Sequence, residues 1–223
     1  MIVVTTPMCR KIVEWAGLNE FKVNKFPDEE EGDLAILLSE SKVHMNSLAI
    51  KINTFSQIKE SIKMVSNCLF ENDLIDRAIC DDEIEVIFNN YKETDDINYA
   101  LLDDEELEDI RQSLKDKKVK VYSQFLKDIV LDIGATVIDF TYDKNDFRYD
   151  ENDFKSDNDD SNGLEMDFDY LVYPDYLEEE VLKRENLVSG DFKPIKILSH
   201  NNISKDPILK AESRYSLLIN GMK

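Results

Sequence analysis

The sequence predicts an α/β chain built as two similar lobes, each holding a parallel sheet. Three observations carry this. Short β-rich runs alternate with amphipathic helical stretches, the pattern of βαβ units. Two runs, "LAILL" (Leu34–Leu38) and "YLVYP" (Tyr170–Pro174), are apolar at nearly every position, as strands covered on both faces of a parallel sheet must be. The order of elements at the start of the chain returns in its second half.

Taken in order, "IVVT" is a strand that feeds a helix. Thr6 is the expected N-cap, Pro7 the first helical residue, and Met8, Ile12, Trp15 and Ala16 the inward face, with Gly17 at a left-handed exit. "FKVNKF" reads as a strand, "PDEEEGD" as a loop, "LAILLS" as a buried strand and "SLAIKI" as another strand. Thr54 and Gln57 form a T-x-x-Q capping box that opens a helix through "TFSQIKESIKMVSNCLF". From Asp73 to Asp116 the periodicity is helical, and a connector is expected over 73–117. "VKVYS" restarts the pattern, with Ser123 as N-cap, a helix through "QFLKDIVLDI" and Gly134 as its stop. The strands "TVIDF" and "FDYLVYP", a helix through "DYLEEEVLKRE", the strand "PIKILS" and a last helix starting near Asp206 and Pro207 complete the chain.

The halves align. "TPMCRKIVEWAG" (from Thr6) matches "SQFLKDIVLDIG" (from Ser123), "DLAILL" at Asp33 matches "DYLVYP" at Asp169, and "IKI" at Ile50 matches "IKI" at Ile195. The expected architecture is therefore two Rossmann-like lobes, 1–72 and 118–223, on either side of the helical connector. An acidic, aperiodic stretch at 143–168 is expected as a surface insertion in the second lobe.

Composition limits the function. The chain has 223 residues, 48 acidic against 27 basic side chains and a net charge of −21. Such a surface repels phosphate backbones and anionic membranes. Nucleic acid and membrane partners are not expected; a basic protein partner, or a larger enzyme complex, is. No run approaches the roughly 20 apolar residues of a membrane span, and no signal peptide is read at the N-terminus. Three cysteines without close spacing fit a reducing, cytoplasmic setting.

Motifs for phosphate cradles, nucleophile elbows and zinc proteases are missing from the sequence. Cys9 follows the first strand and lies near a helix start, beside Arg10 and Lys11. Two readings of it stand open. A helix N-terminus favours a thiolate, which could ligate a metal or cluster or act in redox chemistry. Alternatively, its spacing with Val13 and Ala16 makes it a small core hydrophobe. His44 or His200 could pair with it as a base, or both could be polar loop residues. Asn158, Asp160, Asn162 and Gly163 match part of a calcium-loop pattern, with Asp169 at the last position where Glu is expected. The same acidic stretch, with Phe147, Tyr149, Phe154 and Phe168 in or beside it, could instead dock a protein.

The strand, the helix ending in "AG", "FKV", "DLAILL" and "TFSQIKESIKMV" resemble the first lobe of the two-lobed metal-chelate and cobalamin-binding proteins, the class III solute-binding and nitrogenase-component-like superfamily. The texture also resembles conserved cytosolic proteins of methanogenic archaea that serve nickel-tetrapyrrole metabolism. The resemblance implies an inter-lobe cleft with a metal cluster or tetrapyrrole as cofactor, lined by Thr5, Thr6, Met8, Cys9, Ser39 and Asn53, and by Ser123, Gln124, Pro174, His200 and Asn201. Among these, Thr6, Met8, Cys9, Ser123, Gln124, His200 and Asn201 are the candidate ligand contacts, with Cys9 the candidate metal ligand. The implied role is non-enzymatic: binding or assembly of the cofactor, or docking onto the methanogenesis enzyme that carries it. A scaffold subunit with an empty cleft is the other reading.

Overall fold

The computed structural model describes residues 1–92, 104–140, 167–184, 192–199 and 203–223. The stretch 143–166 of the expected acidic insertion, with Asn158, Asp160, Asn162 and Gly163 of its calcium-loop pattern, lies outside them. The chain is α/β and divides into two units: Met1–Leu102 with Ile203–Ser216, and Asp103–Asn202 with Leu217–Lys223. Among the described residues no helix is long and apolar enough to cross a membrane.

The first unit holds a four-stranded parallel sheet of β1 (Val3–Thr5), β2 (Lys22–Val23), β3 (Leu34–Leu38) and β4 (Ser47–Ile50), in the order β2-β1-β3-β4. Its helices are α1 (Arg10–Trp15), α2 (Phe55–Glu71) and α3 (Asp81–Lys92). The second unit repeats the arrangement. α4 (Asp104–Leu114) precedes β5 (Lys118–Val121), α5 (Gln124–Asp132), β6 (Thr136–Phe140), β7 (Tyr170–Pro174), α6 (Glu178–Arg184) and β8 (Lys193–Ile197). Its sheet is also parallel, in the order β6-β5-β7-β8. The last helix, α7 (Pro207–Met222), gives its residues through Ser216 to the first unit and its final turns to the second. Of the segment 73–117 expected as a connector, α3 sends Ile84 and Phe88 into the first unit's core, whereas α4 belongs to the second unit.

The central strands explain each core. All of β7 and all but the last residue of β3 are buried. Successive residues point to opposite faces, so Ile36 packs with Val3, Ile50, Ile12, Ile58 and Ile62, while Ala35 and Leu37 are buried on the reverse face. In the second unit Leu171 and Tyr173 pack with Tyr122, Leu177 and Val181. Buried polar groups are satisfied locally: the Thr5 hydroxyl donates to the Ile36 carbonyl at 2.7 Å.

The internal repeat has a hydrogen-bond signature. Asp33 and Asp169 stand immediately before the two central strands. The Asp33 carboxylate accepts from the Ile2 N–H (2.5 Å) while the Asp33 N–H donates to the Ile2 carbonyl (2.8 Å). The Asp169 carboxylate accepts from the Lys118 N–H (2.8 Å) while the Asp169 N–H donates to the Lys118 carbonyl (2.9 Å). The "IKI" alignment is corrected. Leu38 pairs with Ile50 and Pro174 with Ile197, so Ile50 corresponds to Ile197, two residues past the sequence match at Ile195. A slip of two keeps every side chain on its face, which is why the pattern alone allowed it.

Helix starts follow the sequence in three of four cases. Thr54 accepts from the Gln57 N–H (3.1 Å), and the Gln57 side chain accepts in return from the Asn53 N–H (3.0 Å). Ser123 accepts from the Leu126 N–H (3.4 Å), and Asp206 accepts from the Ile208 and Leu209 N–H groups (3.0 and 3.2 Å). The exception is Thr6. A turn fills residues 7–9, the Cys9 N–H donates to the Thr6 carbonyl (3.0 Å), and α1 starts at Arg10 with Cys9 as its cap residue.

Gly17 and Gly134 close α1 and α5 with φ of +104° and +85°. A Cβ at Gly134 would stand 2.8 Å from the Arg111 Cα, where the Arg111 side chain donates to the Asp132 carbonyl at the helix end (2.8 Å). At Gly17 the nearest atoms are 3.8 Å away. Gly134→Ala is therefore expected to lose about 2 kcal/mol or more, from the left-handed backbone and the clash together. Gly17→Ala should lose about 1 kcal/mol, from the backbone alone. Urea denaturation of both variants measures the difference.

Candidate functional site

In an open α/β sheet, ligands bind outside the carboxyl ends of the strands, where the strand order reverses. Each unit has one such switch point. In the first it lies between the tips of β1 and β3, and in the second between those of β5 and β7.

At the first switch point the structure gathers Thr6, Met8 and Cys9 after β1, and Ser39 and Glu40 after β3. Thr6 and Met8 are half-buried, and Met8 packs on the core. Cys9 is fully buried within the same apolar cluster as Ile12, Val13 and Ala16. Burial pushes its thiol up to about 11. A nearby Glu40 acts in the same direction, while hydrogen bonding to Thr6 and at Leu38, and the charge of Lys210, oppose it. Of the two readings of Cys9, this burial favours the small core hydrophobe over the thiolate. Burial weighs against Cys9 as a metal ligand, because a ligating thiol must first lose its proton. Among the described residues no group of three or more His, Cys, Asp or Glu side chains is placed to hold a metal ion.

At the second switch point Ser123 is buried as the cap of α5, and Gln124 donates to Asp128 (3.0 Å). Asp175, just after β7, accepts from the Ser199 hydroxyl and from the Ser199 N–H (3.1 Å) at the end of β8. His200 and Asn201 lie outside the described residues. His44 is exposed in the loop before β4, where its backbone N–H donates to Asp28 (2.9 Å). Cys68 is half-buried and Cys80 exposed.

Three side chains near the first switch point or on α7 were not expected from the sequence: Glu40, Lys210 and Glu212. Lys210 is buried, and its charge acts on Cys9. The helical period sets Lys210 well away from Ile208 and Tyr215, on the side where solvent is normally found, so its burial carried no signal. Glu212 did carry one. It falls four, three and seven residues from Ile208, Tyr215 and Ile219, all buried. Glu212 is 3% exposed, and among the described residues its Oε1 has no hydrogen-bond partner.

No family model matches the chain, and no curated protein matches it. Among solved structures the chain is similar to a metal-free mutant of a periplasmic metal binding protein from Candidatus Liberibacter asiaticus. The two share 10% identity over 100% of each chain, with a TM-score of 0.48. A likeness of that size transfers neither ligand nor activity.

Two predictions follow from burial. Under native conditions iodoacetamide should label Cys80 first and Cys68 more slowly, leaving Cys9 unmodified until the protein unfolds; peptide mass spectrometry reads the order. Glu212 is pushed up to about 7 by burial, whereas in the unfolded chain it titrates near the ordinary 4.5. The folded state therefore holds its proton more tightly. Its contribution to stability is best at low pH, falls as pH rises from about 4.5 through 7, and stays low above. Glu212→Gln should gain roughly 2 kcal/mol over the parent at pH 8 and little at pH 4.5, measured by urea melts at both pH values.

Proposed function

We propose that the protein is a non-enzymatic binding or assembly factor, whose ligand is a metal-containing or tetrapyrrole-like group or the enzyme that carries one. The observation that supports this reading is the duplicated switch point: two parallel sheets of identical order, each offering strand tips of the kind that hold ligands. The groups described there include hydroxyls, an amide and carboxylates. These hold the organic periphery of a ligand, so Cys9 acts as packing beneath the site rather than as a metal donor.

Anaerobic purification followed by absorbance and metal analysis tests this. The expected result is a chromophore or near-stoichiometric metal that Cys9→Ala retains. Bare protein that co-purifies with a large complex would overturn it in favour of an adaptor. The net charge of −21 gives that second reading its own support, because it suits a basic partner surface.

A further inference from the structure

β4 is an outer strand of the first sheet, and among the described residues only its β3 side is paired. The Asn46 and Ile50 carbonyls accept from the Ala35 and Ser39 N–H groups on that side (2.8 and 2.9 Å). Backbone direction alternates along a strand, so Leu48 also faces β3, while Ser47 and Ala49 turn their N–H and C=O groups outward. Both are exposed. Such a row of free donors and acceptors is a template for another strand, and proteins ordinarily guard it with lysine, proline or a very short strand. The outer strand β8 of the second sheet is guarded by Lys193, Pro194 and Lys196, and β2, at the other margin of the first sheet, is two residues long. β4 has none of these devices; the charged residue nearest to it, Lys51, stands one position past its end. Beside β4 lies an open groove of about 510 Å³, whose lining includes Leu48 and, from α2, Glu60, Lys63, Met64, Cys68 and Glu71. The α2 positions recur at helical spacing and form one stripe along the helix, in which Met64 is 37% exposed. Lys63 is drawn to Asp81 on α3 (2.8 Å). Glu60 and Glu71, both exposed and outside any ion pair among the described residues, form an acidic rim.

We propose that β4 is a docking edge for an extended segment of a basic partner protein, which adds a fifth strand to the first sheet. Main-chain hydrogen bonds to Ser47 and Ala49 hold the segment, and every second side chain enters the groove. A central apolar side chain meets Leu48 and Met64, and flanking Lys or Arg side chains meet Glu60 and Glu71. The spacing suits this. Glu60 and Glu71 are about 16 Å apart along the helix, and four residues of strand span about 13 Å, a difference that long basic side chains cover. Charge selects the occupant. A second copy of this chain would bring another net charge of −21 to an acidic rim, whereas a basic segment is attracted to it. The edge runs along the side of the sheet and not at its strand tips, so the proposal is independent of what the tips hold.

The test titrates the full chain into two dye-labelled peptides, read by fluorescence anisotropy. One is Thr-Lys-Thr-Ile-Thr-Lys-Thr, capped at both ends, and the other has Glu in place of each Lys. The basic peptide is expected to bind once per chain, about ten-fold or more tighter than the acidic one, to weaken as salt is added and to shield Cys68 from iodoacetamide. Ala49→Pro removes an outward N–H that β3 does not use, and should weaken binding about ten-fold. Ala49→Val keeps that N–H and should bind like the parent. The double variant Glu60→Lys, Glu71→Lys leaves the strand untouched and should lose the preference for the basic peptide, which decides the matter even where Ala49→Pro fails to fold. Absence of binding, equal binding of the two peptides, or a double variant that keeps the preference overturns the proposal. So does a parent chain that dimerises in sedimentation while Ala49→Pro stays monomeric, in favour of a second copy as occupant. Protein that carries metal or chromophore yet ignores the basic peptide loses this edge and keeps the ligand reading above. Bare protein that binds the peptide at β4 keeps the edge and loses that reading.

Discussion

A strand in the middle of a parallel sheet has no polar side to show. Most of what this protein does structurally follows from that constraint on β3 and β7. Leu34–Leu38 and Tyr170–Pro174 must be covered above and below, and each parallel neighbour must be reached by a crossover rather than a tight turn. The helices are therefore not appendages. α1 and α5 are the first crossovers of their units, and each carries an Ile-Val pair, Ile12–Val13 or Ile129–Val130, whose members are completely buried. Asp33 and Asp169 set where each central strand begins by exchanging two hydrogen bonds with the neighbouring strand.

The same constraint explains Cys9. The repeat that aligns Ile12–Val13 with Ile129–Val130 also aligns Cys9 with Leu126, and both are 0% exposed. A leucine at the equivalent position is a statement about packing. The first turn after each inner strand carries a side chain inward, and in the first unit that side chain happens to be a thiol. Reading Cys9 by its local surroundings (a helix start and two basic neighbours) suggested reactivity. Reading it by its partner in the repeat points to packing, which agrees with its burial, and hydrocarbon around sulfur raises the cost of ionisation.

Charge is distributed with the same economy. Exposed pairs such as Lys59–Glu85 at 2.5 Å and Lys63–Asp81 at 2.8 Å tie α2 to α3 at the surface, where such pairs contribute little to stability. The informative charges are the buried ones on α7. Glu212 shares a helical face with Ile208 and Tyr215, and among the described residues its Oε1 has no hydrogen-bond partner. Lys210 and Arg214 lie on another face and are buried all the same. Tyr91 donates to Asp206 at 2.6 Å, and Asp206 also caps α7, so the start of this helix is fixed where those charges begin.

The sequence by itself determined the class of fold, because the features that define it are local. Apolar runs, caps at Thr54, Ser123 and Asp206, and left-handed glycines at 17 and 134 each act over a few residues. The doubled order of elements was legible for the same reason. What only the tertiary structure decided were properties of surroundings. The two-residue offset of the β4 and β8 repeats could not be read, because side-chain direction repeats every second residue. The burial of Lys210 could not be read either, because it depends on which distant residues close over it.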